Sequence, residues 1–154
     1  MKVFLCGGGA GEQTIEANKR LNEVIDHAKP CLYIPLAMEA EMYDSCYEWI
    51  TGELAEVQLP YIEMVRSGEE LAKKNFSDYS VVFIGGGNTY KLLKDLKDCG
   101  AFEKLRTYLV PVSLSRAGHA PQTQIRPTQK IFGKCKIRAV AGNCGGFLYF
   151  VPCT

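Results

Sequence analysis

The segment Val81-Val82-Phe83-Ile84-Gly85-Gly86-Gly87-Asn88-Thr89-Tyr90 does most to limit what this chain can fold into. Four consecutive apolar, β-favouring residues end in three glycines, and an asparagine then opens a run with helical spacing of leucines. Such a run is a buried strand that turns sharply into a helix. Glycines without Cβ atoms leave peptide N–H groups open, and the first N–H groups of the helix have no partner within it. The turn is therefore a place to hold a phosphate, a carboxylate or a reaction oxyanion. A tight turn that only lets strand and helix pack closely would use the same glycines.

The same grammar recurs earlier. Lys2 to Cys6 is an apolar run ending in Gly7-Gly8-Gly9, and the next segment carries Ile15, Leu21, Val24, Ile25 and Ala28 on a helical face. Cys31 to Leu36 reads as a second buried strand, and Met42, Cys46, Trp49 and Ile50 mark a second helix. Ala55 to Ile62 reads as a third, weaker strand interrupted by Pro60. Ser67-Gly68-Glu69-Glu70 carries the Ser-x-x-Glu capping pattern of a short helix. Helices are expected over Thr89 to Lys97 and Ala101 to Leu109, with Leu92, Leu93, Leu96, Phe102, Leu105 and Leu109 inward. Alternation of this kind needs crossover connections. The expected class is α/β, doubly wound, with a mostly parallel sheet and helices on both faces. Ligands in such sheets sit beyond the carboxyl ends of the strands, where both glycine turns fall, so Gly8, Gly9, Asn88 and Thr89 are expected to line one crevice.

The chain of 154 residues is read as one domain, with an α/β core at 1–109 and a basic, proline-interrupted tail at 110–154. Residues 1–109 hold 12 Lys/Arg and 17 Asp/Glu, whereas 110–154 hold 6 Lys/Arg and no acid. Those six bases are scattered, so neither nucleic acid nor a membrane is expected as partner. Pro111, Pro121 and Pro127 break the pattern, and only Lys136 to Ala141 and Phe147 to Val151 still read as strands. Seven cysteines in no metal-finger spacing and two histidines, His27 and His119, give no zinc signature; no cofactor is expected. With no signal segment and no run of eighteen apolar residues, the reading is a reduced, cytoplasmic protein whose cysteines serve as small core residues.

Gly7-Gly8-Gly9-Ala10-Gly11 reads as a tight strand-to-helix turn lining the crevice rather than a nucleotide cradle, because GxGxxG needs glycine where Glu12 stands and a carboxylate there opposes a pyrophosphate. Phe83 to Leu93 is more specific. An apolar strand, GGGNT, an aromatic residue and a leucine pair resemble the S51 serine peptidases, the group of aspartyl dipeptidase (peptidase E) and cyanophycinase. The first strand with its glycines, Ile34-Pro35, the tryptophan-bearing helix and Phe102 to Leu109 fall in that family's order, so the resemblance covers 1–109 and not the C-terminal part. It implies a fold similar to class I glutamine amidotransferases, with a sheet left incomplete at the C-terminus here. It also implies proteolysis of small acidic, aspartyl peptides through a serine acyl-enzyme, with oxyanion donors from the backbone of Gly86 and Gly87.

The family's nucleophile stands in a G-x-S-A-G type elbow, where small neighbours expose the Oγ. The nearest match by position is Ser115 in Leu114-Ser115-Arg116-Ala117-Gly118-His119, which sets bulky Leu114 and Arg116 beside the serine. A triad needs a histidine and an acid, yet the downstream histidine is His119 and no Asp or Glu follows Glu103. Cys144 in Gly142-Asn143-Cys144-Gly145-Gly146 has the small neighbours of an elbow but no later histidine, and reads more plainly as a structural cysteine. A change of coding frame or of sequence near residue 109 or 110 would remove elbow, histidine and acids together. Three functions follow: an S51-type serine peptidase, an inactive truncated or frame-altered relative that only binds a carboxylate ligand, or a Rossmann-like nucleotide-binding module. An exposed sheet edge would favour a homodimer.

Overall fold

The computed structural model describes residues 2–6, 10–109 and 147–151. In chain order it contains β1 (Lys2–Cys6), α1 (Ile15–Asn22), β2 (Cys31–Ile34), α2 (Tyr43–Glu53), β3 (Ile62–Met64), α3 (Gly68–Lys73), β4 (Val81–Ile84), α4 (Thr89–Asp98), α5 (Ala101–Leu109) and β5 (Phe147–Val151). Single 3-10 turns precede α1 and α2, and a third lies between α3 and β4. The strands form one sheet in the order β1-β5-β4-β2-β3. β2 pairs in parallel with both β3 and β4, while β5 is antiparallel to β4 and to β1. Four strands thus run one way and one runs against them.

Why the strands read as unbroken apolar runs is visible in their burial. All four residues of β2 are buried, because helices cover both faces of the sheet. Cys31 and Tyr33 of β2 and Val81 and Phe83 of β4 face one side, packing with Leu21 of α1 and with Ile50 and Leu54 at α2. Leu32, Ile34 and Val82 face the other, packing with Leu71 of α3, Leu96 of α4 and Leu105 of α5. Strand period and helix placement therefore agree on a doubly wound α/β architecture. Each fully buried large side chain here, such as Phe83, Leu32 or Ile50, contributes roughly 1.5–3 kcal/mol of transfer free energy.

Four expectations need correction. The third strand is Ile62–Met64 rather than Ala55 to Ile62. Leu54 and Val57 are spent closing the end of α2, where the Leu54 amide donates to Ile50 O at 3.0 Å. Pro60 lacks an N–H, and pairing begins only after it, with Cys31 N donating to Tyr61 O at 3.1 Å. Met42 and Leu93 are exposed, as is Ile15 in the first turn of α1. The inward stripe of α4 is Leu92 and Leu96, spaced one turn apart, and Leu93 falls beside it. The strand expected at Lys136 to Ala141 lies outside the described residues.

The short edge strand β3 is pinned by charge. The Lys74 ammonium meets Glu63 Oε1 at 2.5 Å, and the Tyr79 hydroxyl donates to Glu63 Oε2 at 2.6 Å. The hydrogen bond from Lys74, with that from Tyr79, holds the Glu63 carboxyl below the usual range. α3 starts as its capping pattern predicts, with Ser67 Oγ accepting from Glu70 N at 3.1 Å. The return contact goes one residue further back, from Arg66 N to Glu70 Oε2 at 2.8 Å. Among the described residues, no helix is long and apolar enough to cross a membrane.

Candidate active site at the turn between β4 and α4

The parallel ladder runs one residue past β4, with Gly85 N donating to Ile34 O at 2.9 Å. A Cβ at Gly85 would sit 3.0 Å from the Tyr33 hydroxyl, so the turn begins where a side chain would have to push that ring aside. At Gly87 the demand is greater. Its φ is 135°, and a Cβ would lie 2.5 Å from Ala37 O and 2.8 Å from Met38 Sδ. Gly87 is thus required by close approach of the loop that follows β2. Among the described residues, the N–H groups of Gly86 and Gly87 meet no acceptor. Gly86 is half-buried and Gly87 is open to solvent.

The start of α4 is not open in the same way. Asn88 Oδ1 accepts from Tyr90 N at 3.0 Å and Lys91 N at 3.1 Å, capping the helix with its own side chain. Asn88 N donates to Ala37 O at 2.8 Å. Two of the helix-start donors expected from the sequence, Tyr90 N and Lys91 N, are consumed here, and the Gly86 and Gly87 amides precede that cap. Thr89 and Tyr90 are exposed beside them, Tyr90 at 85%. Beneath the turn, Tyr33 lies edge-on to Phe83, with ring centroids 5.5 Å apart. Burial pushes the Tyr33 phenol up, with the nearby Cys46 adding to the shift, so this hydroxyl stays neutral below the turn. Burial likewise pushes the Cys31 thiol up. Cys31, Cys46 and Cys99 are free thiols.

The turn ahead of α1 behaves differently. Gly8 and Gly9 lie outside the described residues, but Gly11, with φ 57°, donates its N–H to Glu53 Oε2 at 3.1 Å. Thr14 Oγ1 donates to Glu53 Oε1, and Asn18 Nδ2 donates to Glu53 O at 3.0 Å and Oε1 at 3.3 Å. A carboxylate of this chain thus occupies the Gly11, Thr14 and Asn18 donors there. Glu53 had no signal in the sequence, because it comes from the end of α2, 42 residues after Gly11. Its partner Asn18 is buried, and Asn18 Oδ1 has no hydrogen-bond partner among the described residues.

Ser115, His119 and Cys144 lie outside the described residues. His27 sits at the opposite edge of the sheet, just ahead of β2, with Nδ1 2.8 Å from Gln58 O. Among the described residues there is no group of three or more His, Cys, Asp or Glu placed to hold a metal.

Fold and site together define an α/β protein with a bare glycine turn at the carboxyl edge of its parallel strands. The sequence model of peptidase family S51 matches residues 3–113, more than half of the chain, and the chain belongs to that family. The match runs from β1 past the end of α5 and includes the whole β4–α4 turn. No curated protein and no solved structure matched the chain.

Proposed function

We propose that this chain is a serine-type peptidase acting on small acidic, aspartyl peptides, with the Gly86 and Gly87 amides as the oxyanion hole. One observation carries the reading: two N–H groups without acceptors among the described residues, in a turn whose backbone is held by ladder, cap and close packing, in a member of a peptidase family. A rigid donor aimed at a developing alkoxide contributes about 3–4 kcal/mol to the transition state. Ser115 is the proposed nucleophile; its hydroxyl would add to the scissile carbonyl, the C–N bond would break as the hydroxyl proton passes to the departing amine, and water would then hydrolyse the acyl ester to free the serine and the carboxylic acid. The test is hydrolysis of Asp-Xaa dipeptides by the purified full chain, with loss on Ser115→Ala. Wild-type turnover that survives Ser115→Ala removes Ser115 from the mechanism, and absence of any turnover removes the peptidase reading.

A second reading has an observation of its own. The described histidine, His27, is tied to Gln58 O at the wrong edge of the sheet to serve the turn. Under that reading the turn binds a carboxylate without chemistry, and aspartyl peptides raise the melting temperature without being cleaved.

A further inference from the structure

Lys91 makes a contact that neither capping nor core packing requires. Its ammonium has three N–H donors and uses all of them: Leu36 O at 3.0 Å, Met38 O at 3.0 Å and Asp95 Oδ2 at 3.4 Å. The residue between the two carbonyls, Ala37, gives its own oxygen to Asn88 N at 2.8 Å. Three successive carbonyls of the loop after β2 therefore point at the start of α4, and all three are held there. That loop is the surface against which Gly87 is pressed, since Ala37 O and Met38 Sδ are the atoms a Cβ at Gly87 would strike.

We propose that Lys91 is a positioning residue: by clamping the carbonyls on either side of Ala37, it fixes the loop that sets the direction of the Gly86 and Gly87 amides. The role in catalysis rests on the oxyanion-hole reading above, while the clamp itself does not. Asp95, one turn along α4, pulls the ammonium from the helix side and keeps it off solvent-facing rotamers. Arginine would not substitute, because its planar fork cannot place donors on two carbonyls of one bend and a carboxylate behind them. With the clamp gone, Asn88 N and Ala37 O still meet, but the loop is free to move over Gly87.

The experiment compares Lys91→Met, Asp95→Asn and Lys94→Met in the full chain. Lys94 pairs with Asp98 on the exposed side of the same helix and serves as the control. For Lys91→Met, hydrogen exchange at Asn88 N should rise at least about tenfold while the amides of the β2–β4 ladder keep their protection. The Gly86 and Gly87 amide order parameters should fall from about 0.85 toward 0.6. In the dipeptide assay, kcat should fall about tenfold with KM within about twofold, the pattern of a contact felt in the transition state. Asp95→Asn should move the same readouts in the same direction by about threefold, and it carries the test if Lys91→Met does not fold. Lys94→Met should move none. Unchanged exchange and order parameters at Gly86 to Asn88 in both Lys91→Met and Asp95→Asn overturn the clamp. Changed dynamics in a protein that shows no wild-type hydrolysis keep the clamp and overturn only the peptidase reading.

Discussion

The chain approaches α1 through Gly11 and α4 through Gly85 to Gly87, and these two turns solve the same backbone problem in opposite ways. Both set bare amides between a strand and a helix. At α1 a distant carboxylate, Glu53, takes the Gly11 N–H, the Thr14 hydroxyl and the Asn18 amide. At α4 the cap is local: Asn88 takes the Tyr90 and Lys91 amides with its own side chain, and the Gly86 and Gly87 amides before it meet no acceptor among the described residues. A glycine turn is thus an anion site only where its donors are not already answered from within the fold. This separates a turn that binds α1 to α2 from a turn that can face a substrate.

The contrast predicts a steep difference between two glycine substitutions. Gly87→Ala places a Cβ 2.5 Å from Ala37 O at a φ of 135° and should cost about 3 kcal/mol or more. Gly11→Ala, at φ 57° with nothing within 4 Å of the new Cβ, should cost about 1 kcal/mol. Urea denaturation of both variants measures the gap, and equal costs would break the comparison. Next in size, Glu53→Ala removes the carboxylate that accepts from Gly11 N and from the Thr14 hydroxyl, while Asn18 Nδ2 keeps Glu53 O and Thr14 Oγ1 keeps Gly11 O, and should destabilise by about 1.5 kcal/mol. Dipeptide turnover by the protein that remains folded should be unchanged, because Glu53 serves the other turn.

A smaller effect is expected at the local cap. Asn88→Ala should cost about 1 kcal/mol in thermal melts, and Asn88→Ser should restore most of it, since serine also accepts from the second or third helical amide. Unlike Glu53→Ala, it should also lower turnover. The smallest effect lies away from both turns and serves to separate folding from site chemistry. The Glu63 carboxyl is held low by Lys74, so its contribution is present above its unfolded value near pH 4.3 and is lost as pH falls through the lower folded value. Lys74 is raised by the same pair, chiefly through the hydrogen bond to Glu63, so its share is lost only as pH rises beyond about 10.4. Glu63→Gln should therefore flatten the acid limb of the stability profile between about pH 5 and 3. A loss of dipeptide turnover in that variant at pH 7 would show that the edge strand and the turn are coupled.

Where sequence reading succeeded, the signals were local. Val81 to Ile84 announces a strand covered on both faces, Gly87 announces a backbone that no side chain tolerates, and Asn88 announces the cap; each works within a few residues. Where it failed, competing uses of the same residue types decided. Leu54 and Val57 read as a strand but close a helix, and Leu93 fits a leucine stripe that Leu92 and Leu96 already fill. Lys91 reads as an ordinary exposed helix residue, and nothing near it in sequence reveals the two carbonyls it holds.

The sequence by itself determined the α/β alternation, the bare turn after β4 and the family, because hydrophobic period, glycine and capping chemistry act over one turn of backbone. The tertiary structure alone decided that, among the described residues, the Gly11 amide is answered from within the fold and those of Gly86 and Gly87 are not. That choice depends on Glu53 reaching Gly11 across 42 residues and Lys91 reaching Leu36 across 55, and such contacts exist only once the sheet has brought the segments together.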